Sequence, residues 1–105
     1  MTLSSAKHLL IVDDERVILD ILRSVLEKEN YRISIAASLE EATQILKADP
    51  VQLLLTDKNL LDGNGLDLVK LCKELDPLSE AIIITGYPSL ESAISAIELN
   101  IYDYI

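Results

Sequence analysis

Two kinds of hydrophobic pattern alternate along the chain. Short continuous runs of apolar residues, many of them β-branched, occur at 8–12, 32–36, 51–56 and 81–85. Runs of this length that are apolar on both faces are typical of buried parallel strands. A further short run at 101–105 predicts a fifth strand at the end of the sequence.

The segments that follow the first four strands carry apolar residues at the three- and four-residue spacing of an amphipathic helix. Ser38 and Glu41 have the spacing of a capping box at the start of the second helix. Turn-forming residues at 62–65 separate the third strand from the third helix. Each helix has one apolar stripe that suits packing on a sheet, namely Ile18, Ile21, Leu22 and Val25; Leu39, Ala42, Ile45 and Leu46; Leu68, Val69, Cys72 and Leu75; and Leu90, Ala93, Ile94 and Ile97.

This alternating order predicts a single α/β domain over residues 1–105. Right-handed crossovers place helices on both faces of a parallel sheet. We therefore expect a flavodoxin-like, doubly wound sheet of five strands in the order 2-1-3-4-5.

Composition narrows the function classes. There are 9 Lys and Arg against 18 Asp and Glu, a formal net charge of −9, which disfavours direct nucleic-acid binding. The chain lacks both an apolar stretch of the ~18 residues that a membrane span needs and a signal peptide, so we expect a cytoplasmic protein. The single cysteine cannot form an internal disulfide, which agrees with a reducing compartment.

Acidic residues follow two of the predicted strands. Asp13 and Asp14 come directly after the first strand, and Asp57 comes directly after the third. In an open parallel sheet, ligands bind beyond the carboxyl ends of the strands where the winding reverses, here between these two strands. The doublet by itself is equally consistent with a helix N-cap and its favourable charge. Asp57 at the matching end of another strand favours a shared cleft.

Converging carboxylates repel one another unless a cation lies among them. Oxygen ligands without a nearby His or Cys favour a hard ion such as Mg²⁺. We interpret His8, in a strand, and Cys72, on a helix stripe, as packing residues. With a divalent ion present, Asp57 could act as a nucleophile and form an aspartyl phosphate. Thr85 could donate to a phosphoryl oxygen, or it could simply be a β-branched residue that ends a strand.

The sequence resembles the receiver domain of two-component response regulators, the phosphoacceptor fold of the bacterial chemotaxis regulator. The resemblance is carried by LLIVDDE at 9–15, LLLTDKNLLDGNGLDLVK at 53–70, IIITGYPSLESAISAI at 82–97 and IYDYI at 101–105. It implies a signalling switch and not an enzyme, one that at most catalyses its own phosphorylation and dephosphorylation. It also implies that a sensor histidine kinase or a phosphotransfer protein supplies the phosphoryl group. The receiver would belong either to a response regulator with an output domain, for example one that regulates transcription, or to a hybrid histidine kinase.

The resemblance also assigns roles to individual residues. It implies that Asp57 is the phosphoacceptor and that Thr85 and Tyr104 move together when it is phosphorylated. It further implies that Mg²⁺ is bound by the carboxylates of Asp13, Asp14 and Asp57 and by the backbone carbonyl of Asn59.

Two features depart from the family pattern. The family usually has a proline in the loop after the phosphoacceptor, where this chain reads Leu60-Leu61-Asp62-Gly63. The family's lysine and final helix would lie beyond Ile105, and Lys58 does not replace that lysine because neighbouring strand residues point to opposite faces. We therefore expect a C-terminally incomplete receiver, with the uncovered face of its last strand available to a partner such as a second copy of the chain.

Two other functions are alternatives. One is an interaction module that keeps the receiver fold without being phosphorylated. The other is a Mg²⁺-dependent phosphatase with Asp57 as nucleophile. The phosphatase ranks last, because haloacid-dehalogenase-like enzymes need a second acid two residues later, where this chain has Asn59.

Overall fold

The computed structural model describes residues 7–29 and 31–84. Within these ranges, the first four predicted strands and the first three predicted helices are confirmed, with strand ends shifted by one or two residues. The predicted fourth helix and fifth strand lie outside the described residues. No helix in the two ranges is long and apolar enough to cross a membrane. The elements in chain order are β1 (Lys7–Val12), α1 (Arg16–Leu26), a 3₁₀ turn (Glu27–Glu29), β2 (Tyr31–Ala36), α2 (Leu39–Ala48), β3 (Leu53–Thr56), β4 (Asn59–Leu60), β5 (Gly63–Asn64), α3 (Gly65–Leu75) and β6 (Glu80–Ile83).

The main sheet has the strand order β2-β1-β3-β6, and every neighbouring pair is parallel. This is the predicted order 2-1-3-4 for the strands that the structure describes. The chain runs from β1 to β2 on one side and then returns to place β3 on the other side of β1. The winding therefore reverses between β1 and β3, where ligands of such sheets bind.

Helices cover both faces of the sheet. Leu9 and Ile11 of β1 pack in one buried cluster with the apolar residues of α1. Leu10 and Val12 point the other way and pack with residues of α2 and α3. Since β1 is buried on both faces, its unbroken apolar run is explained by its central place in a doubly covered sheet.

The buried stripe of α1 agrees with the predicted one only in part: Leu22 is buried and Ile18 packs against the same cluster, as predicted. Leu19, Leu22 and Leu26 are fully buried, whereas Ile21 is 39% exposed. Successive helix residues are 100° apart, so the buried row at spacings of three and four lies beside the row that was predicted. Both rows are apolar in this sequence, and only contact with the sheet distinguishes them. Leu75, predicted on the stripe of α3, is the last residue of that helix and is 52% exposed.

His8 and Cys72 are buried packing residues, as predicted. The His8 ring donates from Nδ1 to the Pro50 carbonyl at 2.9 Å, and its Nε2 is hydrogen-bonded to the Ser34 hydroxyl at 2.7 Å. The Cys72 sulfur lies 3.3 Å from the Ser79 hydroxyl, and burial raises the pKa of the thiol. Both side chains have their polar atoms satisfied within the fold.

The predicted Ser38 cap of α2 is present, and it gives a prediction for stability. The Ser38 hydroxyl accepts from the Glu41 N–H at 3.1 Å. The Glu41 carboxylate accepts at 2.8 Å from the Ala37 N–H, one residue before the Ser38 N–H that a capping box uses. Replacing Ser38 by Ala is expected to lower the free energy of unfolding by about 1 kcal/mol, because one N–H of the first turn loses its partner. Urea denaturation measures the change. Ser38→Asn should restore most of the loss, and equal losses in the two variants would contradict the cap.

Candidate functional site

The site lies at the carboxyl edge of the two central strands. Beyond the end of β3, the Asp57 N–H donates to the Val12 carbonyl at 3.0 Å. Beyond the end of β1, the Asp13 N–H donates to the Ala36 carbonyl at 3.2 Å. The backbone of both aspartates is thus held by hydrogen bonds that continue the sheet.

Three carboxylates meet at this edge. Asp13, Asp14 and Asp57 each offer one oxygen, and these oxygens lie within 4.8 Å of one another. Asp13 is buried, with only 3% of its surface exposed, whereas the other two are half-buried. The sequence predicted this convergence from the positions of the residues after their strands, and the structure brings the side chains together.

Helix capping does not explain the acidic doublet. The N-cap of α1 is Glu15, whose side chain makes no capping hydrogen bond. Oδ1 of Asp13 accepts from the Glu15 N–H at 2.9 Å, which orients the Asp13 carboxylate at the start of the helix. Asp13 and Asp14 therefore lie outside the helix, on the side of Asp57.

The electrostatics of the cluster disfavour full ionisation. The pKa of Asp13 is raised from 3.8 to about 6, mainly by burial, while the hydrogen bond from the Glu15 N–H lowers it. The nearby charges of Asp57, Asp14 and Glu15 contribute smaller parts of the same rise. None of the ion pairs formed among the described residues includes Asp13, Asp14 or Asp57. A cation bound among the three carboxylates would offset their mutual repulsion, which none of these ion pairs relieves.

The donor set suits a hard divalent cation. It consists of carboxylate oxygens, and the described part of the chain places no histidine or cysteine in this cluster. Oxygen donors in this number match Mg²⁺, which binds through a few carboxylates and keeps several waters.

The chain after Asp57 turns back on itself in a short hairpin. Asn59 in β4 pairs with Asn64 in β5, and the Asn59 N–H donates to Oδ1 of Asp57 at 3.3 Å. The Gly65 N–H donates to the Lys58 carbonyl at 2.7 Å, which closes the loop. This hairpin keeps Asn59 beside Asp57, where its carbonyl was expected as a metal ligand.

Thr85 and Tyr104, the two expected switch residues, lie outside the described residues. The described chain ends just before Thr85, at Ile84, whose N–H donates to the Thr56 carbonyl at 3.0 Å. Residue 84 thus extends the sheet at the carboxyl edge that holds the acidic cluster.

Sequence reasoning missed two residues that shape the site. Asp62 was interpreted only as part of a turn, but its carboxylate contacts the start of α2, 22 and 23 residues away in sequence. Gly65 was interpreted in the same way, but it packs against the backbone of Asp57. No local signal identifies either role, because each depends on a neighbour brought by the fold.

Comparison with known proteins agrees with this geometry. Residues 9–105 match the family described as response regulator receiver domain. The photosynthetic apparatus regulatory protein RegA of Cereibacter sphaeroides is 33% identical over 103 residues. That alignment covers 98% of this chain but only 56% of RegA, so the chain spans about half the length of this relative.

Two solved structures are similar over most of the chain. A CheY-like receiver domain protein from Methanospirillum hungatei JF-1 is 36% identical, with a TM-score of 0.76, over 96% of this chain and 81% of that one. A response regulator from Burkholderia pseudomallei, solved with a phosphorylated aspartic acid, a calcium ion and citrate, is 28% identical, with a TM-score of 0.73. The alignment covers 93% of this chain and 58% of that one. The parallel sheet, the family match and these relatives show that the chain belongs to the response regulator receiver domain family.

Proposed function

We propose that this domain is a phosphorylation switch in which Asp57 accepts a phosphoryl group from a phosphohistidine. The observation that carries the proposal is the meeting of Asp13, Asp14 and Asp57 where the winding of the sheet reverses. Asp57 is half-buried at this edge, so its carboxylate remains accessible to a donor.

The residues of the site have two parts in the proposed chemistry, metal binding and nucleophilic attack. The carboxylates of Asp13, Asp14 and Asp57 and the carbonyl of Asn59 would hold Mg²⁺, which would supply positive charge that offsets the repulsion between the nucleophile and the incoming phosphoryl group. A carboxylate oxygen of Asp57 attacks phosphorus, the N–P bond of the donor breaks, and its electron pair returns to the imidazole. The Asn59 N–H bond to Oδ1 orients the attacking group. Later attack by water on phosphorus releases phosphate and restores the carboxylate.

The remaining parts of the proposal concern readout and partners. Thr85 and Tyr104 would respond to the phosphoryl group and bias a two-state element. The donor would be a sensor histidine kinase or a phosphotransfer protein, the domain would act in the cytoplasm, and an output segment would receive the signal. Two relatives support separate parts of the proposal. A similar response regulator carries a phosphorylated aspartic acid, which supports phosphorylation, and the matched regulatory protein is longer than this chain, which supports an output segment.

Phosphorylation by a small donor tests the function. With acetyl phosphate and Mg²⁺, the chain is expected to gain ~80 Da, the mass of one phosphoryl group, in intact mass spectrometry. Asp57→Asn should abolish the gain, because an amide oxygen is a poor nucleophile. Asp67→Asn, an exposed aspartate of α3, is the matched control and should be phosphorylated normally.

Two results would contradict the proposal. A mass gain that survives Asp57→Asn would place the modification elsewhere. No mass gain, together with a melting temperature that millimolar Mg²⁺ does not raise, would instead favour the unphosphorylated interaction module, because a ligand of the native state must stabilise it.

A further inference from the structure

Asp62 connects the segment between β3 and α3, here called the site loop, to the start of α2. Its Oδ1 accepts from the Leu39 N–H at 2.8 Å, and its Oδ2 accepts from the Glu40 N–H at 3.2 Å. These hydrogen bonds lower the pKa of Asp62, which therefore accepts them as a carboxylate near neutral pH. The first N–H groups of a helix have no partner within the helix and carry partial positive charge. A carboxylate is thus a favourable partner for them.

The contacts of Asp62 are distinct from the helix's own cap. Ser38 already accepts from the Glu41 N–H. Asp62 satisfies the two preceding N–H groups, and it comes from the segment that follows the phosphoacceptor. Hydrogen bonding at the start of α2 therefore depends on Asp62, whose position is set by the site loop.

The loop that carries Asp62 also carries Asn59. Asp62 lies between β4 and β5, where Asn59 is opposite Asn64 and Leu60 is opposite Gly63. The turn lies directly on α2, because a Cβ added at Gly63 would overlap the Leu39 side chain. Fixing the turn to α2 fixes the hairpin, and the hairpin holds the backbone of Asn59 beside Asp57.

We propose that Asp62 is a positioning residue, which anchors the hairpin to α2 and so holds the Asn59 backbone in place for binding Mg²⁺. This inference rests on the proposed function, because it concerns the same metal and phosphoryl site. Groups that orient metal ligands without contacting the metal typically change metal affinity by ten- to a hundredfold when they are replaced. Asp62 acts at the lower end of that range, because it orients one backbone ligand and none of the three carboxylates.

Titration with Mg²⁺ alone tests the role of Asp62. Asp62→Ala is expected to raise the Kd of Mg²⁺ about tenfold in calorimetry, with Asp13, Asp14 and Asp57 intact. Asp62→Asn removes the charge but keeps one oxygen acceptor, so its Kd should lie between those of the wild type and Asp62→Ala. Asp67→Ala controls for the loss of one exposed negative charge, and Ser38→Ala controls for weakening of α2 without release of the loop.

The readouts separate positioning from a purely structural role. A structural role would lower the melting temperature of Asp62→Ala and Ser38→Ala alike and leave the Kd of both unchanged. Coupling is reciprocal, so Mg²⁺ should also slow hydrogen exchange at the Leu39 and Glu40 amides in the wild type and not in Asp62→Ala.

The outcomes distinguish this inference from the proposed function. The positioning role would be overturned if the wild type binds Mg²⁺ and the Kd of Asp62→Ala is within twofold of the wild-type Kd. That result would leave the proposed function standing. An Asp67→Ala variant as weak as Asp62→Ala would also overturn the positioning role, because charge alone would then account for the effect. A wild-type chain that binds no Mg²⁺ would overturn both.

Discussion

Replacing Gly65 by alanine is expected to lower the free energy of unfolding by roughly 2–3 kcal/mol, although the same change in a helix ordinarily stabilises it. Gly65 is the first residue of α3 and is buried. A Cβ there would overlap the backbone carbonyl oxygen of Asp57 and lie 2.9 Å from the Thr56 hydroxyl oxygen. Backbone cannot rotate away as a side chain can, so either α3 or Asp57 must move.

Urea denaturation and Mg²⁺ titration together measure this effect. Since Gly65 lies against the backbone of Asp57, the proposed phosphoacceptor, Gly65→Ala should also weaken Mg²⁺ binding and slow phosphorylation by acetyl phosphate. Lys70→Ala, at an exposed position of the same helix, is the matched control and should change stability by less than about 0.5 kcal/mol. A Gly65→Ala variant at least as stable as the wild type would show that this close approach does not constrain the site.

The metal-free protein is expected to lose stability as the pH rises from about 4 to about 6. Asp13 has a pKa of about 6 when folded, raised mainly by burial, against an ordinary value of 3.8. Between these values the folded state binds more protons than the unfolded state, so stability falls as pH rises. The penalty is complete above the folded pKa and amounts to about 1–3 kcal/mol, at ~1.4 kcal/mol per unit of pKa.

Asp13→Asn separates this contribution from other titrations. In the absence of metal, the variant should be more stable than the wild type at pH 7.5 and close to it at pH 4, because the amide does not ionise. With Mg²⁺ the order should reverse at pH 7.5, since the variant loses a proposed metal ligand while the wild type gains stability from binding. Asp20→Asn, an exposed aspartate of α1, should follow the wild type in both conditions.

This account would be contradicted if the difference in free energy of unfolding between the wild type and Asp13→Asn stayed constant from pH 4 to pH 7.5. A Mg²⁺-induced stabilisation of the wild type as large at pH 5 as at pH 7.5 would also contradict it. Protons and the cation compete for the same carboxylate, so metal affinity must rise with pH through the pKa of Asp13.

The strands and the acidic cluster were predictable because both depend on local pattern and chain order. Each buried strand is a short apolar run, since helices cover both of its faces. Once the strand order is known, residues directly after β1 and β3 must meet at one edge, which is why Asp13 and Asp57 could be placed together. The helix cap at Ser38 is equally local, because its two residues are three apart.

The exact face of α1 and the roles of Asp62 and Gly65 were not predictable in the same way. Two adjacent apolar rows of α1 satisfy the helical period, and only packing on β1 decides that Leu19 and Leu26 are buried while Ile21 is partly exposed. Asp62 binds N–H groups of α2 that no spacing rule connects to it.

The sequence by itself therefore determined the α/β class, the strand order and the meeting of three carboxylates where the winding of the sheet reverses. These follow from hydrophobic periodicity and from position after a strand, which are properties of the chain. Only the tertiary structure decided that Asp13 is buried enough for its pKa to reach about 6, that Gly65 lies against Asp57, and that Asp62 joins the site loop to α2. Burial, close approach and long-range hydrogen bonds each require a second segment of chain, and the packing of the domain supplies it.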